Sequence, residues 1–369
     1  MMSLQERPWV TESNLSRPKR FFLADDSLKA DEFYQKASEG GAFIWQGDFH
    51  NAKQLLAAVD RRIAKRAKEK KSESVITPVE KFHRHRQSQA HRAQLLSRLL
   101  IPIEADLTIE LPRSPSVQQA LKEALLSEPG ACLISLKDLL AFIGAHEWRK
   151  KGVLVQALGQ NIFPYYGTFS PTRNEYLDLI SQAPLAKNIQ LAFDIGTGTG
   201  VIAAILAQRG IPQVVASETD PRALACAHEN ILRLGLQLKV RIVEQDLFPK
   251  GRADLIVCNP PWLPVKPTSP IERAIYDEDS QMLRGFLNGV SAHLNKQGEA
   301  WLILSDLAEH LGLRAPEAIP KWIHEGGMEV IDILSAAPRH SKSKDTKDPL
   351  FAERSKERTQ LYRLKPTPL

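Results

Sequence analysis

The sequence contains little cysteine: only Cys132, Cys226 and Cys258 occur in 369 residues. Their number is odd and no two lie at a short paired spacing, so they do not outline a disulfide framework. They also lack histidine partners at the spacing of a zinc cluster. The sequence therefore excludes a small disulfide-stapled protein, and it predicts no metal site.

A long apolar run is also missing. The longest stretch without a charged residue, Gly152 to Thr172, contains two glutamines, one asparagine and two prolines. Such a segment would not insert into a membrane. The first ten residues lack a basic region followed by an apolar core, so no secretory signal is visible. The sequence therefore predicts a cytoplasmic protein with no membrane partner.

Positive charge is concentrated in one segment. The chain has a net charge of +6, and the segment from Arg61 to Arg98 has twelve Lys or Arg against three Glu, which leaves −3 for the remainder. His83, His85 and His91 lie within this basic segment. Two interpretations stay open. The segment binds an anionic partner such as RNA or DNA, or it is a solvated helix face or an exposed loop.

The chain is long enough for two domains, and its pattern changes near residue 150. Residues 1–150 predict an α+β domain that begins with an irregular arm of about 40 residues. The predicted elements are helices at Ala52–Arg66, His83–Leu100, Val117–Leu126 and Leu136–Phe142, and a strand at Ala105–Leu111.

Residues 151–369 alternate short apolar runs with helical segments. Strands are predicted near 190–195, 213–218, 238–243, 254–259 and 299–305, and helices near 199–209, 221–235, 276–294 and 306–325. This order predicts an α/β domain whose parallel sheet is covered on both faces. The last two runs, Met328–Leu334 and Gln360–Leu364, predict an antiparallel edge pair.

The segment LAFDIGTGTGVIAAIL, from Leu191 to Leu206, predicts a strand, a glycine turn and a helix. Gly196, Gly198 and Gly200 allow the backbone to approach a ligand closely, and the helix N-terminus adds backbone donors. The NAD fingerprint requires a third glycine where Val201 stands, so NAD is disfavoured. Glu218 ends the next strand and could accept hydrogen bonds from two ribose hydroxyls. The alternative is a tight strand-to-helix turn without a ligand.

Asp246 follows the third strand, in VEQDLF. Its carboxylate could hold the amino group of an adenine, or it could be a surface residue at a strand end.

The fourth strand ends in Asn259-Pro260-Pro261-Trp262. Proline contributes no N–H and biases the preceding residue toward extended backbone. The side-chain oxygen of Asn259 and the carbonyl of Pro260 could then accept both hydrogens of a planar NH₂ group, with Trp262 stacked on the attached plane. Two acceptors would stabilise the positive charge that develops as this nitrogen attacks a methyl group. A proline-rich loop with a core tryptophan is the alternative.

DIGTGTG, Glu218, Asp246 and NPPW together resemble class I S-adenosylmethionine-dependent methyltransferases of the amino-methylating branch. This branch includes adenine-N6 and guanine-N2 methyltransferases of RNA or DNA, and release-factor glutamine-N5 methyltransferases. The upstream GTFS, residues 167–170, is similar to the GVFS element that closes over the cofactor in the ribosomal-RNA "small domain" members. Trp262 replaces the commoner Tyr or Phe, and the first 150 residues are not identified as a named substrate-binding domain.

The resemblance spans about residues 160–365 and implies a seven-stranded, mostly parallel Rossmann-like sheet with S-adenosylmethionine as methyl donor. It implies cofactor-binding roles for Asp194, Gly196, Thr197, Gly198, Gly200, Glu218, Asp246 and Phe169, and target-amine roles for Asn259, Pro260 and Trp262.

The leading hypothesis is an N-methyltransferase acting on an exocyclic amine of a nucleic-acid base, with RNA preferred over DNA. Residues 1–150 would then recognise the substrate through the basic segment. A protein glutamine, whose amide is also a planar NH₂, is the first alternative substrate. A small-molecule methyltransferase and a non-catalytic RNA-binding scaffold are the others. The oligomeric state does not follow from the sequence.

Overall fold

The computed structural model describes residues 3–13, 15–69, 77–125, 127–170, 174–339 and 344–368. The chain divides into two compact units, Met1–Glu147 and Trp148–Leu369. Within the described residues, no helix is both long enough and apolar enough to cross a membrane. The part of the basic segment at 70–76 lies outside the described residues.

The first unit is built around a five-stranded sheet, counted over its described residues. Its elements are β1 (Trp9–Val10), β2 (Arg20–Ala24), α1 (Ala30–Ser38), β3 (Gly41–Trp45), α2 (Phe49–Glu69), α3 (Pro78–Leu96), β4 (Leu99–Ile103), α4 (Gln118–Ala124), β5 (Cys132–Ser135) and α5 (Leu136–Lys151). The strand order is β1-β5-β4-β3-β2, and β4 and β5 are antiparallel while the other pairs are parallel.

Several sequence predictions for this unit are wrong. The first 40 residues are not an irregular arm, because they contain β1, β2 and α1. No strand forms at Ala105–Leu111; the strand is β4, whose first two residues, Leu99 and Leu100, are part of the predicted helix His83–Leu100. Every residue of β3 and β4 is buried. A strand buried on both faces has no alternating pattern, so periodicity does not distinguish it from a helix.

The second unit contains the larger sheet. Its elements are β6 (Val153–Val155), β7 (Gln160–Ile162), α6 (Glu175–Gln182), β8 (Leu191–Ile195), α7 (Val201–Gln208), β9 (Gln213–Glu218), α8 (Pro221–Arg233), β10 (Val240–Glu244), β11 (Ala253–Cys258), α9 (Pro270–Arg273), a 3-10 turn (Glu278–Ser280), α10 (Gln281–His293), β12 (Leu294–Ser305), α11 (Leu307–His310), α12 (Ala318–Glu325), β13 (Met328–Ala336), α13 (Phe351–Arg354) and β14 (Thr359–Pro366).

Seven of these strands form one sheet in the order β10-β9-β8-β11-β12-β14-β13. The first five are parallel to one another, and β14 is antiparallel to both of its neighbours. The predicted α/β class and mostly parallel seven-stranded sheet are confirmed. The final antiparallel pair also forms, with β14 inserted between β12 and the edge strand β13.

Apolar residues pack on both faces of this sheet. One cluster includes Ile205, Val214 and Val257, and the other includes Phe193, Ile256 and Phe286. Adjacent residues Ile256 and Val257 thus belong to opposite clusters, as the alternation of a central strand requires. Because both faces are covered, the described part of the sheet presents its polar chemistry at the carboxyl ends of its strands.

Candidate active site

The two motifs singled out in the sequence lie side by side at the carboxyl edge of the large sheet. Strands β8 and β11 are parallel neighbours, and Ile195 is the partner of Cys258 in their register. Gly196 and Asn259 are the next residues of the two strands, so they leave the sheet at the same level. Adjacent strands are about 4.8 Å apart. The register therefore brings the glycine turn and the NPPW turn to one place.

The glycine turn depends on left-handed backbone. Gly196, Gly198 and Gly200 have φ angles of +68°, +56° and +81°, a region that side chains with a Cβ rarely adopt. A Cβ built on Gly198 would meet no atom of the described residues within 4 Å, whereas one on Gly196 would lie 2.5 Å from the methyl group of Met282. The turn is therefore open at Gly198 and covered at Gly196.

Asp194 stabilises this turn from the buried side, opposite the open side at Gly198. Its Oδ2 accepts hydrogen bonds from the Thr197 hydroxyl at 2.6 Å and from the Ala203 N–H, in the first turn of α7, at 3.0 Å. The side chain is fully buried, and its Oδ1 has no hydrogen-bond partner among the described residues. Burial raises the pKa of Asp194 to about 7, against the lowering effect of its two donors, and the neighbouring Glu218 charge raises it further.

Glu218 connects the ends of two strands. Its Oε2 accepts from the Gly198 N–H at 3.0 Å, and its Oε1 accepts from the N–H groups of Thr219 and Asp220 at 2.8 and 3.1 Å. A carboxylate has about four acceptor sites. Three are used by backbone donors, so the predicted pair of ribose hydroxyls would have to share one site or displace a backbone donor.

Asp246 lies in the loop after β10 and is exposed. The preceding residue, Gln245, donates its N–H to the Glu218 carbonyl at 3.1 Å, and the following carbonyl, of Leu247, accepts from the Ser217 hydroxyl. The structure thus places the Asp246 loop beside the end of β9.

The segment that contains Phe169 is attached to α8. The Phe163 N–H donates to Asn230 Oδ1 at 2.8 Å, and Asn230 Nδ2 donates to the Thr199 carbonyl in the glycine turn at 3.0 Å. Phe169 itself is half-buried, with its ring 6.4 Å from that of Tyr176. Asn230 therefore joins this segment to the glycine turn, a role that no local sequence signal indicated.

The NPPW turn presents oxygens, but one of them is already engaged. The indole N–H of Trp262 donates to Asn259 Oδ1 at 2.9 Å. No described residue donates a hydrogen bond to the Pro260 carbonyl. The Trp262 side chain is half-buried and packs against the apolar clusters on both faces of the sheet. In this conformation Trp262 contacts Asn259 directly, in addition to any contact with a substrate ring.

Two further residues at this edge were not found in the sequence. Arg314 donates to the Trp262 carbonyl at 2.8 Å. Asp277 accepts from the Met282 and Leu283 N–H groups at the start of α10, and burial raises its pKa against the lowering effect of these donors. Both residues are distant from NPPW in sequence, so only the tertiary fold brings them to the turn.

Comparison with known proteins adds the family to this geometry. The family of the methyltransferase small domain matches residues 176–314, a range that includes both turns. A tRNA1(Val) (adenine(37)-N6)-methyltransferase of Bacteroides thetaiotaomicron is 35% identical over 132 residues, which cover 34% of this chain and 56% of that protein. The protein of the same name from Pedobacter heparinus is 34% identical over 165 residues, 40% of this chain and 70% of that protein.

The chain belongs to the methyltransferase small-domain family. The predicted resemblance is therefore confirmed, and the second unit contains an S-adenosylmethionine-dependent methyltransferase domain. A release factor glutamine methyltransferase of Cereibacter sphaeroides is also similar, at 39% identity over 85 residues, 22% of this chain and 31% of that protein. The chain spans about half the length of the Bacteroides relative.

The residues of this methyltransferase domain fit the donor. The turn is open at Gly198, and the domain has buried polar atoms that lack partners among the described residues. They include Asp194 Oδ1, Ser170 Oγ and both carboxylate oxygens of Glu175. Buried polar groups are ordinarily hydrogen-bonded, so their lack of partners is the expected state of a site that accommodates a polar ligand.

Proposed function

We propose that this protein transfers a methyl group from S-adenosylmethionine to the exocyclic amino group of a base in RNA. The observation that carries the proposal is the register of β8 and β11, which sets Gly196 and Asn259 level on adjacent strands. A donor held at the glycine turn and an amine held at the NPPW turn would then lie close enough to react.

S-adenosylmethionine supplies, when bound, an electrophilic methyl group. The glycine turn and Glu218 would bind it, with Asp194 fixing the turn through Thr197 and Ala203. Asp246 and Phe169 would complete the cofactor site from the β10 loop and from the segment before α6. These assignments follow the family motif and the positions described above.

Asn259 and Pro260 would bind the target. An exocyclic amine of a base is a weak nucleophile because its lone pair is delocalised into the ring. Oxygens of Asn259 and Pro260 that accept both N–H groups would stabilise the positive charge that develops on this nitrogen. The proton can leave after the methyl group has bonded to the nitrogen, so no residue is assigned the role of general base. Trp262 would stack on the base, which must first leave its helical stack.

The first unit supplies a surface for phosphates. Arg62 forms an ion pair with Asp31, Arg92 pairs with Asp60, and Arg98 is buried. Arg61 and Lys65, in contrast, are exposed and lie four residues apart on α2, so they face the same side. We propose that these two side chains are the part of the basic segment that contacts RNA.

RNA is favoured over a protein substrate by the relatives. The proteins from Bacteroides and Pedobacter are named as adenine-N6 methyltransferases of tRNA. Protein glutamine is the second candidate, because the similar Cereibacter protein is named as a release factor glutamine methyltransferase and a glutamine amide offers the same planar NH₂. Either substrate class agrees with the predicted cytoplasmic location, which stays a prediction.

The deciding experiment supplies methyl-labelled S-adenosylmethionine and separate RNA, DNA and protein fractions of a cell extract. We expect label in RNA, lost on ribonuclease treatment, and recovered as an N-methylated adenosine or guanosine after digestion to nucleosides. Label that survives nuclease but is lost on protease treatment would instead establish the glutamine alternative.

The basic segment is tested by reversing two of its charges. Arg61→Glu combined with Lys65→Glu should weaken RNA binding. It should also reduce the slope of the logarithm of the binding constant against the logarithm of salt concentration, by the amount expected for the loss of about two phosphate contacts. Lys187→Glu combined with Lys239→Glu is the matched control, because both lysines are exposed residues of the second unit. Equal losses in the two variants would show that net charge alone, rather than this segment, governs binding.

A further inference from the structure

The NPPW turn has few means of holding its own conformation. Pro260 and Pro261 have no N–H, so only Asn259 and Trp262 can donate from the main chain of these four residues. The turn is followed by an anchored segment, in which the Leu263 N–H donates to the Ile275 carbonyl at 3.1 Å and the Asp277 N–H donates to the Leu263 carbonyl at 2.9 Å. Upstream of this anchor, the turn depends on donors from side chains.

Trp262 is held at both its side chain and its main chain. An indole N–H is a donor only, so its partner at 2.9 Å must be the oxygen of the Asn259 amide and not the nitrogen. The contact therefore fixes which way the amide faces. The Trp262 carbonyl accepts from Arg314 Nη2 at 2.8 Å.

Arg314 makes this contact from a buried position. It lies between α11 and α12, its side chain is 3% exposed, and its Nη1 is 3.2 Å from Glu309 Oε1. Glu309 belongs to α11, which follows β12, and β12 is the neighbour of β11 on the side away from the glycine turn. A buried guanidinium is costly to desolvate, and a well-packed apolar residue is often as stabilising. Its burial in contact with the Trp262 carbonyl indicates a role in orientation.

We propose that Arg314 is a positioning residue for the NPPW turn. It binds the Trp262 carbonyl, keeps the indole N–H on the Asn259 oxygen, and so fixes the amide atom that meets the substrate. The catalytic consequence rests on the proposed function, because only an amine that donates its hydrogens requires the oxygen of Asn259. If the amide turned over, its NH₂ would face both the indole N–H and the target amine, which are all donors.

The test removes Arg314 without leaving a buried charge. Arg314→Met alone would leave Glu309 unpaired, and burial already raises the pKa of Glu309 despite the nearby guanidinium. The informative variant is therefore Arg314→Met combined with Glu309→Gln. Arg314→Lys keeps one charged donor and serves as the conservative variant. Arg209→Met is the matched control, since Arg209 donates to the carbonyls of Ile180 and Ala183, away from the turn.

The first readout needs no substrate. Hydrogen exchange of the Trp262 indole N–H is followed by NMR in protein labelled with ¹⁵N-tryptophan. The chain has six tryptophans, and Trp262→Phe assigns the resonance by removing it. We expect exchange about tenfold faster in the double variant, less change in Arg314→Lys, and little change in Arg209→Met. An exchange rate in the double variant within twofold of wild type would overturn the proposal.

The second readout separates positioning from a general structural role. In the double variant we expect kcat for RNA methylation to fall about tenfold, with the Kd for S-adenosylhomocysteine within twofold of wild type. A lower melting temperature with unchanged kcat would assign Arg314 a structural role only and overturn the proposal. If wild type methylates no RNA, the proposed function fails, while the exchange measurement still decides whether Arg314 holds the turn.

Discussion

The two turns at the carboxyl edge of the large sheet use opposite chemistry. In the glycine turn the Gly198 N–H donates to Glu218, and the turn is held by its own conformation, with three left-handed glycines and the buried carboxylate of Asp194. The NPPW turn presents oxygens, lacks two N–H groups, and is held by the side chains of Trp262 and Arg314. A substitution in the glycine turn is therefore expected to act through the backbone conformation, whereas one in the NPPW turn is expected to act through a few hydrogen bonds.

The largest effect is expected at the turn that presents oxygens. Asn259→Ala removes one of the two proposed acceptors of the target amine and should lower kcat by about 10²–10³-fold, as for the loss of one group that stabilises transition-state charge. Cofactor affinity should change little, because the described glycine turn makes no hydrogen bond to the Asn259 side chain. Methyl transfer to RNA and calorimetry with S-adenosylhomocysteine measure the two quantities.

Asn295→Ala is the control for this change. Asn295 makes the same kind of side-chain contact at the opposite end of β11, where its Nδ2 donates to Asp254 Oδ1 at 2.6 Å. It should lower stability without a comparable loss of kcat. If Asn259→Ala left the rate of transfer unchanged, the two turns would not divide donor and acceptor binding as we propose.

A smaller effect is expected at the glycine turn. Gly198→Ala adds a methyl group that meets no atom within 4 Å in the described part of the chain, so it would enter the space in which the cofactor is proposed to lie. With the strain of a left-handed alanine, we expect the Kd for S-adenosylhomocysteine to rise about tenfold, a change of about 1.4 kcal/mol.

Gly235→Ala is matched to this variant. Gly235 has a φ of +69° against +56° for Gly198, and a Cβ there also meets no described residue within 4 Å. Both variants should therefore lose similar stability in thermal unfolding, but only Gly198→Ala should lose affinity. Equal affinities would place the cofactor away from the open side of the turn.

The success of the sequence predictions also differs between regions. The seven strands of the large sheet were predicted to within a few residues, except for the early start of β12, because each is a short apolar run bounded by turn residues. The short pair β6 and β7 was not predicted. Both turns were found for a similar reason, since their chemistry lies in consecutive residues. The first unit was predicted less well, because its buried strands β3 and β4 are continuous apolar runs, which occur in helices as well as in strands.

Contacts between distant residues could not be predicted in either unit. Arg314 lies 52 residues after Trp262, and Asn230 lies 31 residues after Thr199. Nothing in the local pattern of either residue specifies its partner, because these pairs form only when the sheet has assembled. The prediction that Glu218 binds two ribose hydroxyls is limited for the same reason. The sequence does not show that backbone N–H groups already use most of the acceptor sites of this carboxylate.

The smallest effect concerns the carboxylate under the glycine turn. Burial raises the pKa of Asp194 to about 7 from an ordinary value of 3.8. Between these values the folded protein holds a proton that the unfolded chain has lost, so this group makes the free energy of unfolding fall as pH rises, and the fall ends above the folded pKa. Asp194→Asn does not titrate and keeps an oxygen for Thr197 and Ala203. The free energy of unfolding of Asp194→Asn minus that of wild type should therefore increase by about 1 kcal/mol when the pH is raised from about 5.5 to about 6.5.

Urea unfolding of both proteins at these two pH values measures this difference, in which the effects of all other titrating groups cancel. Asp254→Asn is the control at the opposite edge of the sheet. Burial of Asp254 favours a higher pKa, but hydrogen bonds from Asn295, Gln190 and Leu191 outweigh it and hold the pKa below its usual value. Asp254 is then ionised in both folded and unfolded protein over this range, so its variant should show no change with pH. If the difference in free energy of unfolding between Asp194→Asn and wild type were the same at both pH values, Asp194 would already be ionised in the folded protein. The glycine turn would then be stabilised by a charged carboxylate rather than a protonated one.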